Sequence, residues 1–437
     1  MSTSTFYTLF WVLYFPLCIA FYDVVPSLQY SDELLTLTLI LFTAARYGRL
    51  RQRTAKREIA AYLGLMAFFV AYSLLTAVNV SDAVWLDLQQ QVRPYAVFYC
   101  TWLLRPQLSR RQGGLVLGSM LVTYAFYVWA FLRAPYLVTP FGGEESAALG
   151  ILAIVCAMAW YLLRPQTRAN LLVCLLIMAT GLLGGKSKFF GEMVCFVAIF
   201  GFLRGRIRLG SVKTALQFAA VTVLVLFFTW TKFNQYYVEG MTGAVDYRMA
   251  RPESYKTAAT IMFRDYVPFG SGLGTFATNA AAEHYSPLYH KYRLSDIWGL
   301  SPSNPMFLAD AFYPTLAEYG LLGLVFFIAF WRRRLLAVLR LPDDRYYKVG
   351  LMCILALALE STADTSYLSG KGMGYFMLLG MCLGAGDTWF LRQRRVRART
   401  AGNKEEAGTI APASSSAIRR SSVAGAAQQD TGRTMPH

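Results

Sequence analysis

In a chain this apolar, the charged positions carry the chemistry. One stretch mixes them with a glycine run: RPESYKTAATIMFRDYVPFGSGLGTF, Arg251 to Phe276. Pro252 suits the first turn of a helix and Glu253 complements the dipole at its N-terminus. An arginine placed there offers a planar fork to paired oxygens, next to backbone N–H groups that also favour anions. Arg248 stands three residues earlier. Farther on come two carboxylates, Asp310 and Glu318, two helical turns apart. Glu318 falls in apolar surroundings, where a carboxylate suits proton transfer, and equally suits a buried partner for an arginine. Asp310 equally fits a helix N-cap. Glu360 and Asp364, at i and i+4, are a further carboxylate pair. His284 and His290 read as solvated loop histidines. There is no D-x-D motif and no histidine cluster, and the seven cysteines are scattered through apolar runs. Neither a metal nor a cofactor is expected.

Tyr255, Ala258, Ala259 and Met262 recur at helical spacing and predict an amphipathic helix lying on a membrane surface. Pro268 and Gly270 end it. Gly270, Gly272 and Gly274 then shape a tight loop, or let its backbone approach a ligand closely. GSGLG is not G-x-G-x-x-G and follows no predicted strand, so it does not indicate a dinucleotide site.

These residues hang on a frame that is 56% hydrophobic over 437 residues. Apolar runs of about 20 residues recur, the length that crosses ~30 Å of hydrocarbon. They lack the alternation of a membrane barrel. The fold class is therefore all-α, a polytopic integral membrane protein. Twelve spans are expected, at 6–28, 32–46, 58–79, 83–104, 113–133, 146–163, 169–185, 188–204, 212–231, 311–331, 347–366 and 372–391. The transmembrane helical domain covers 1–399, including a large loop, 232–311, between spans nine and ten. Residues 400–437 are low in complexity and expected to be a disordered tail.

Lysine and arginine orient the frame. The linkers 46–57, 105–111, 164–168, 204–213 and 331–345, with Lys348 and the segment after 391, hold 30 of the 42 basic residues. All fall on one side if both termini are cytoplasmic, which puts 232–311 and the carboxylate-rich region outside. The net charge of +17 is thus a topology signal, and no nucleic-acid partner is expected. The remaining cations break the pattern. Arg93 lies deep in the fourth span, in DLQQQVRPY, and needs an interior partner or cavity; Glu360 is one choice of partner. Lys186 and Lys188 open the eighth span, and Lys188 has Glu192 four residues on.

An arginine, an aromatic residue four positions later, an alanine-rich turn and P-x-G-x-G-x-G-x-F together resemble the signature of the O-antigen ligase and polymerase family. DAFYPTLAEYGLLGL, Asp310 to Leu324, resembles its second half. The layout, with the large loop after span nine, is also similar. Where ligases of this family carry a histidine the chain reads LADAFY, and where Ser-Arg is frequent it reads KSKFF. The missing histidine favours a polymerase over a ligase.

The resemblance implies transfer of a glycan from a polyprenyl diphosphate to a sugar hydroxyl, on the outer face of a bacterial inner membrane. It implies that Arg251, Arg248, Arg93, Lys186 and Lys188 hold the diphosphate, and that Asp310 or Glu318 takes the acceptor proton, without a metal. It also implies a polyprenyl-diphosphate-linked oligosaccharide and membrane lipids as ligands, with a chain-length regulator and a flippase as partners. The rival of another class is a twelve-helix transporter, against which the position of the long loop argues.

Overall fold

The computed structural model describes residues 1–20, 28, 30–50, 52–133, 145–208, 210–242 and 247–389. The expected tail, 400–437, and the end of the first expected span lie outside them. Among the described residues the protein is helical, with a single isolated bridge between Ser301 and Asn304 as its only extended pairing.

The principal helices are α1 (Thr3–Phe15), α2 (Ser31–Ala44), α3 (Arg53–Thr76), α4 (Ser81–Leu104), α5 (Arg110–Arg133), α6 (Glu145–Leu163), α7 (Arg168–Gly181), α8 (Ser187–Phe196) and α9 (Val212–Phe233). After the insert come α10 (Gly320–Leu339), α11 (Asp344–Glu360) and α12 (373–389). Each expected span overlaps one of these helices. Among the described residues three segments are long and apolar enough to cross a membrane by themselves: Arg53–Thr76, Arg110–Arg133 and Val212–Thr242. Others are short. The 14 residues of α2 rise only about 21 Å.

Polar side chains set several starts. Ser2 accepts from the amide of Thr5, Thr167 from that of Asn170, and Asp343 from that of Arg345. The expected tenth span, 311–331, is displaced. Residues Tyr313–Glu318 form a 3-10 turn, and α10 begins only at Gly320, whose φ is +57°. The chain therefore stays irregular for a turn beyond the insert, and Glu318 stands before α10, not within it.

Helices of similar apolarity take opposite places. α6 is hydrophobic all round, and Leu149 and Ile151 to Met158 are essentially sealed from solvent, so it forms the centre of the bundle, against α5, α7 and α11. α9 has no buried residue, and Leu216 and Phe227 are fully displayed beside the face that packs on α8. That is the arrangement of a helix meant to face lipid.

The insert has a core of its own. Ala258, Ile261, Phe276, Ala281, Leu288, Tyr289, Leu294, Leu300 and Leu308 pack together. The helix Ala250–Thr260 serves this core, and it does not lie on a surface as an amphipathic stripe. Its buried residues are Pro252, Ser254, Thr257 and Ala258, while Ala259 is exposed. The face is set by contact with the 3-10 turn at 313–318, a long-range constraint that helical periodicity does not encode.

All seven cysteines are buried, so an introduced thiol gives a clean signal. Ser303 is exposed on the insert. In intact cells a membrane-impermeant maleimide is expected to label Ser303→Cys and not Ser414→Cys. Labelling of Ser414→Cys alone would reverse the orientation that the basic linkers assign.

Candidate functional site

The glycine loop is a tightly held backbone clamp. Eight consecutive N–H groups, Gly270 to Ala277, each donate to an acceptor within the protein. Ser271 and Gly272 donate to the carbonyls of Ala317 and Glu318, at 3.1 and 3.0 Å. Leu273 donates to Ser73 Oγ at 2.7 Å, and Gly274 to Asp87 Oδ2 at 3.1 Å. Thr275 and Phe276 both donate to Glu318 Oε1, at 2.7 and 2.8 Å. The glycines are required by space. At Gly274, φ is +70° and a Cβ would stand 2.5 Å from the Ala83 carbonyl oxygen. At Gly270, φ is +79° and a Cβ would meet the Ala317 oxygen at 2.3 Å. The loop's amides are thus spent on protein oxygens, and its part is the shaping one.

Glu318 is the centre of that clamp. It is fully buried, and besides the two amides its Oε1 accepts from Thr278 Oγ1 at 3.3 Å. Its partners are backbone amides where an arginine was one expectation. Asp87, on α4 and equally buried, supplies the facing carboxyl. This packing makes Glu318 a fastener between the insert and the helical bundle.

Arg251 and Asp310 come together. Arg251 Nε reaches Asp310 Oδ2 at 2.6 Å and Nη2 reaches Oδ1 at 2.9 Å, a two-point fork on a carboxylate. The guanidinium lies 4.6 Å from the centre of the Tyr236 ring. Burial alone would lower the guanidinium pKa, but hydrogen bonding to Asp310, the charge of Asp310 and the neighbouring Tyr237 and Tyr236 together outweigh it and raise it. Both side chains keep partial exposure, 17% and 20%. They line a small cleft with Ser254, Ala277, Phe307, Leu308, Ala311 and Pro314. Arg251 sits at the second position of its helix, and Asp310 precedes the 3-10 turn without capping a regular helix. Among the described residues Nη1 makes no hydrogen bond, so one donor of the fork remains for a ligand.

The other expected cations are placed differently. Arg248 is half exposed and held by Glu253 at 2.8 Å and by the carbonyl of Arg293 at 2.8 Å. Burial would raise Glu253, yet its hydrogen bonds from Lys256 and Arg248 hold it below the usual carboxylate range. Arg93 is buried against Asp32 and Glu33, and donates to the carbonyl of Leu368 at 3.3 Å. Its partner is therefore not Glu360. That residue, with Asp364 at 2.5 Å, holds Lys188. Lys186 occupies the N-cap position of α8 without a side-chain capping bond. The segment 361–372 joins these groups: it touches Arg93 through Leu368 and Lys188 through Asp364, and it accepts at Thr362 from the hydroxyls of Tyr237 and Tyr255 beside Arg251. His284 and His290 stand in short helical turns of the insert, away from the cleft lining.

Charge counting separates the candidates. Arg93 faces two carboxylates and Lys188 faces two more, with Glu192 fully buried alongside. Arg251 faces one. Buried cations outnumbered by carboxylates are poor anion binders, so among these three the Arg251 cleft is the strongest candidate for binding an anion. Sequence reasoning passed over Asp32, Asp87 and Ser73. A carboxylate six residues before Arg93 in the same apolar helix was the available signal for Asp87.

No protein-family model and no curated protein matches the chain.

Substitution separates fastener from chemistry. Glu318→Ala strands buried donors at a cost of about 1–3 kcal/mol each, so it is expected to lower the yield and melting temperature of folded protein. Asp310→Asn keeps one oxygen for Arg251 but sets its amide NH2 against the second donor, so it is expected to leave folded protein with a smaller fall in melting temperature than Glu318→Ala. Equal melting temperatures for Glu318→Ala and wild type would show that the clamp is dispensable.

Proposed function

We propose that the protein is a membrane glycosyltransferase that polymerises lipid-linked oligosaccharide repeat units, using the Arg251–Asp310 cleft. The observation that carries this reading is the two-point Arg251–Asp310 pair on a module with its own core. The same module ends in the two motifs that resemble the O-antigen polymerases. In this reading the chain crosses the bacterial inner membrane twelve times with both termini cytoplasmic, and the insert faces outward.

The chemistry needs a cation for the departing diphosphate and a base for the acceptor hydroxyl. The planar fork of Arg251 fits phosphate oxygens as it fits a carboxylate. As the diphosphate takes the fork, Asp310 is released to accept a proton. The acceptor oxygen then bonds to the anomeric carbon, and the bond from that carbon to the diphosphate oxygen breaks. The electron pair leaves with the diphosphate, Asp310 receives the hydroxyl proton, and Arg251 balances the charge on the leaving group. Protein cations do this work without a metal.

A ligase would use the same steps with another acceptor; the absent motif histidine argues against it. The transporter reading has one observation on its side: the ionic clusters at Arg93 and Lys188 lie inside the bundle, where transporters keep ion and substrate pathways. A deletion strain distinguishes the three. Single repeat units on the acceptor indicate a lost polymerase, and long polymer left on the carrier indicates a lost ligase. Lost solute uptake with unchanged glycan indicates a transporter.

With a purified lipid-linked repeat unit, Arg251→Lys is expected to fold and to polymerise roughly ten- to a hundredfold more slowly. That is the loss of one charge-assisted hydrogen bond of ~1.5–3 kcal/mol. Wild-type rates in Arg251→Lys would remove the bidentate role.

A further inference from the structure

The cleft has an aromatic neighbour that the fold does not require. Trp298 is 69% exposed, an uncommon state for the largest side chain in a loop with its own hydrophobic base. Its ring stands 5.3 Å from that of Phe307, at an interplanar angle of 66°. Phe307 in turn lines the cleft that holds Arg251 and Asp310.

The loop is built to present this pair. Leu300 and Leu308 are buried beneath it. Phe307 N donates to the Gly299 carbonyl at 2.8 Å, Asn304 N to that of Ser301 at 3.1 Å, and the Tyr285 hydroxyl to that of Leu300 at 2.7 Å. Gly299 has φ +85°, and a Cβ there would stand 2.3 Å from the Phe307 ring. Only glycine at 299 lets Phe307 lie where it supports Trp298. The flanking residues are mixed: Asp296, Ser301, Ser303 and Asn304 are polar, and Met306, beside Phe307, is 65% exposed.

We propose that Trp298, backed by Phe307, is a stacking platform for a pyranose ring of the glycan, leading into the Arg251–Asp310 cleft. The C–H face of a pyranose is a flat, weakly positive surface, and the face of an aromatic ring is its negative complement. Carboxylate, hydroxyl and amide groups around the ring suit the sugar hydroxyls. A lipid-headgroup anchor would use the same tryptophan, but its contact with Phe307, which lines the Arg251–Asp310 cleft, favours a sugar. The inference rests on the glycosyltransferase reading.

The experiment complements a deletion strain with wild type, Trp298→Phe, Trp298→Leu and Arg251→Ala, and compares glycan length and amount on gels at matched protein levels. Trp298→Leu is expected to reduce long polymer roughly two- to tenfold, the effect of one aromatic contact, while Trp298→Phe keeps most of it. Because Trp298 is exposed, both variants are expected to fold; a drop in protein level for Trp298→Leu would overturn the platform in favour of a structural role. Full polymer in Trp298→Leu would overturn it in favour of a lipid anchor, since leucine inserts into lipid but has no flat face. Unchanged polymer in Arg251→Ala would remove the glycosyltransferase reading itself, and the platform with it.

Discussion

The Glu318 carboxylate, accepting from the amides of Thr275 and Phe276, is the contact on which the candidate site depends. A glycine-rich turn carries many N–H groups and no side chains to cover them. Buried without partners, each would cost about as much as a lost hydrogen bond. Here the acceptors come from four places at once: the 3-10 turn, α3 through Ser73, α4 through Asp87 and the insert through Tyr289. Satisfying the turn therefore ties the insert to the bundle. It also fixes the 3-10 turn that follows Asp310, and with it the distance from Asp310 to Arg251.

A second constraint runs through the bundle. Charges buried among apolar helices are stable only with partners, and the described buried cations have them. Arg93, Lys188 and Arg334 each meet at least one carboxylate. Such pairs hold helices together: Arg93 joins α4 to α2, and Lys188 joins α8 to the end of α11. The same pairing leaves little free positive charge for a ligand. Arg251 differs in degree, being bound by one carboxylate at the mouth of a cleft. An anion there exchanges one oxyanion for another, and the Asp310 carboxylate it displaces keeps partial exposure.

Much of this was legible in the sequence. Helices follow from apolar runs, and every expected span meets one. Types and spacing singled out Arg251, Asp310, Glu318 and the three glycines, and the structure pairs Arg251 with Asp310 and Glu318 with the glycine loop. What they touch did not. Nothing local in LAEYG says that Glu318 reaches the amides of Thr275 and Phe276, or in DLQQQ that Asp87 reaches Gly274; those contacts join segments some 40 and 190 positions apart. The start of α10 was misjudged for a related reason. Residues 311–319 are apolar enough for a span, but Gly320 takes φ +57°, which interrupts a right-handed helix, and the Gly270 amide and Pro268 carbonyl pack so closely there that only glycine fits. Periodicity put Ala258 and Ala259 on one apolar face; packing on the 3-10 turn buries Ala258 as expected, takes Thr257 in addition and leaves Ala259 exposed.

The Arg251–Asp310 pair also bears on how such a site stays quiet without substrate. A guanidinium and a carboxylate at 2.6 and 2.9 Å mask each other: the cation is not free to collect stray phosphate, and the carboxylate is not free to act as a base. Only a ligand that competes for the fork unmasks both in one step. Competition of this kind favours a doubly charged, two-oxygen group over a single carboxylate, because the planar fork is matched equally well and the charge is larger. The geometry that looks like a structural salt bridge in the resting protein is thus compatible with chemistry gated by the substrate's own leaving group.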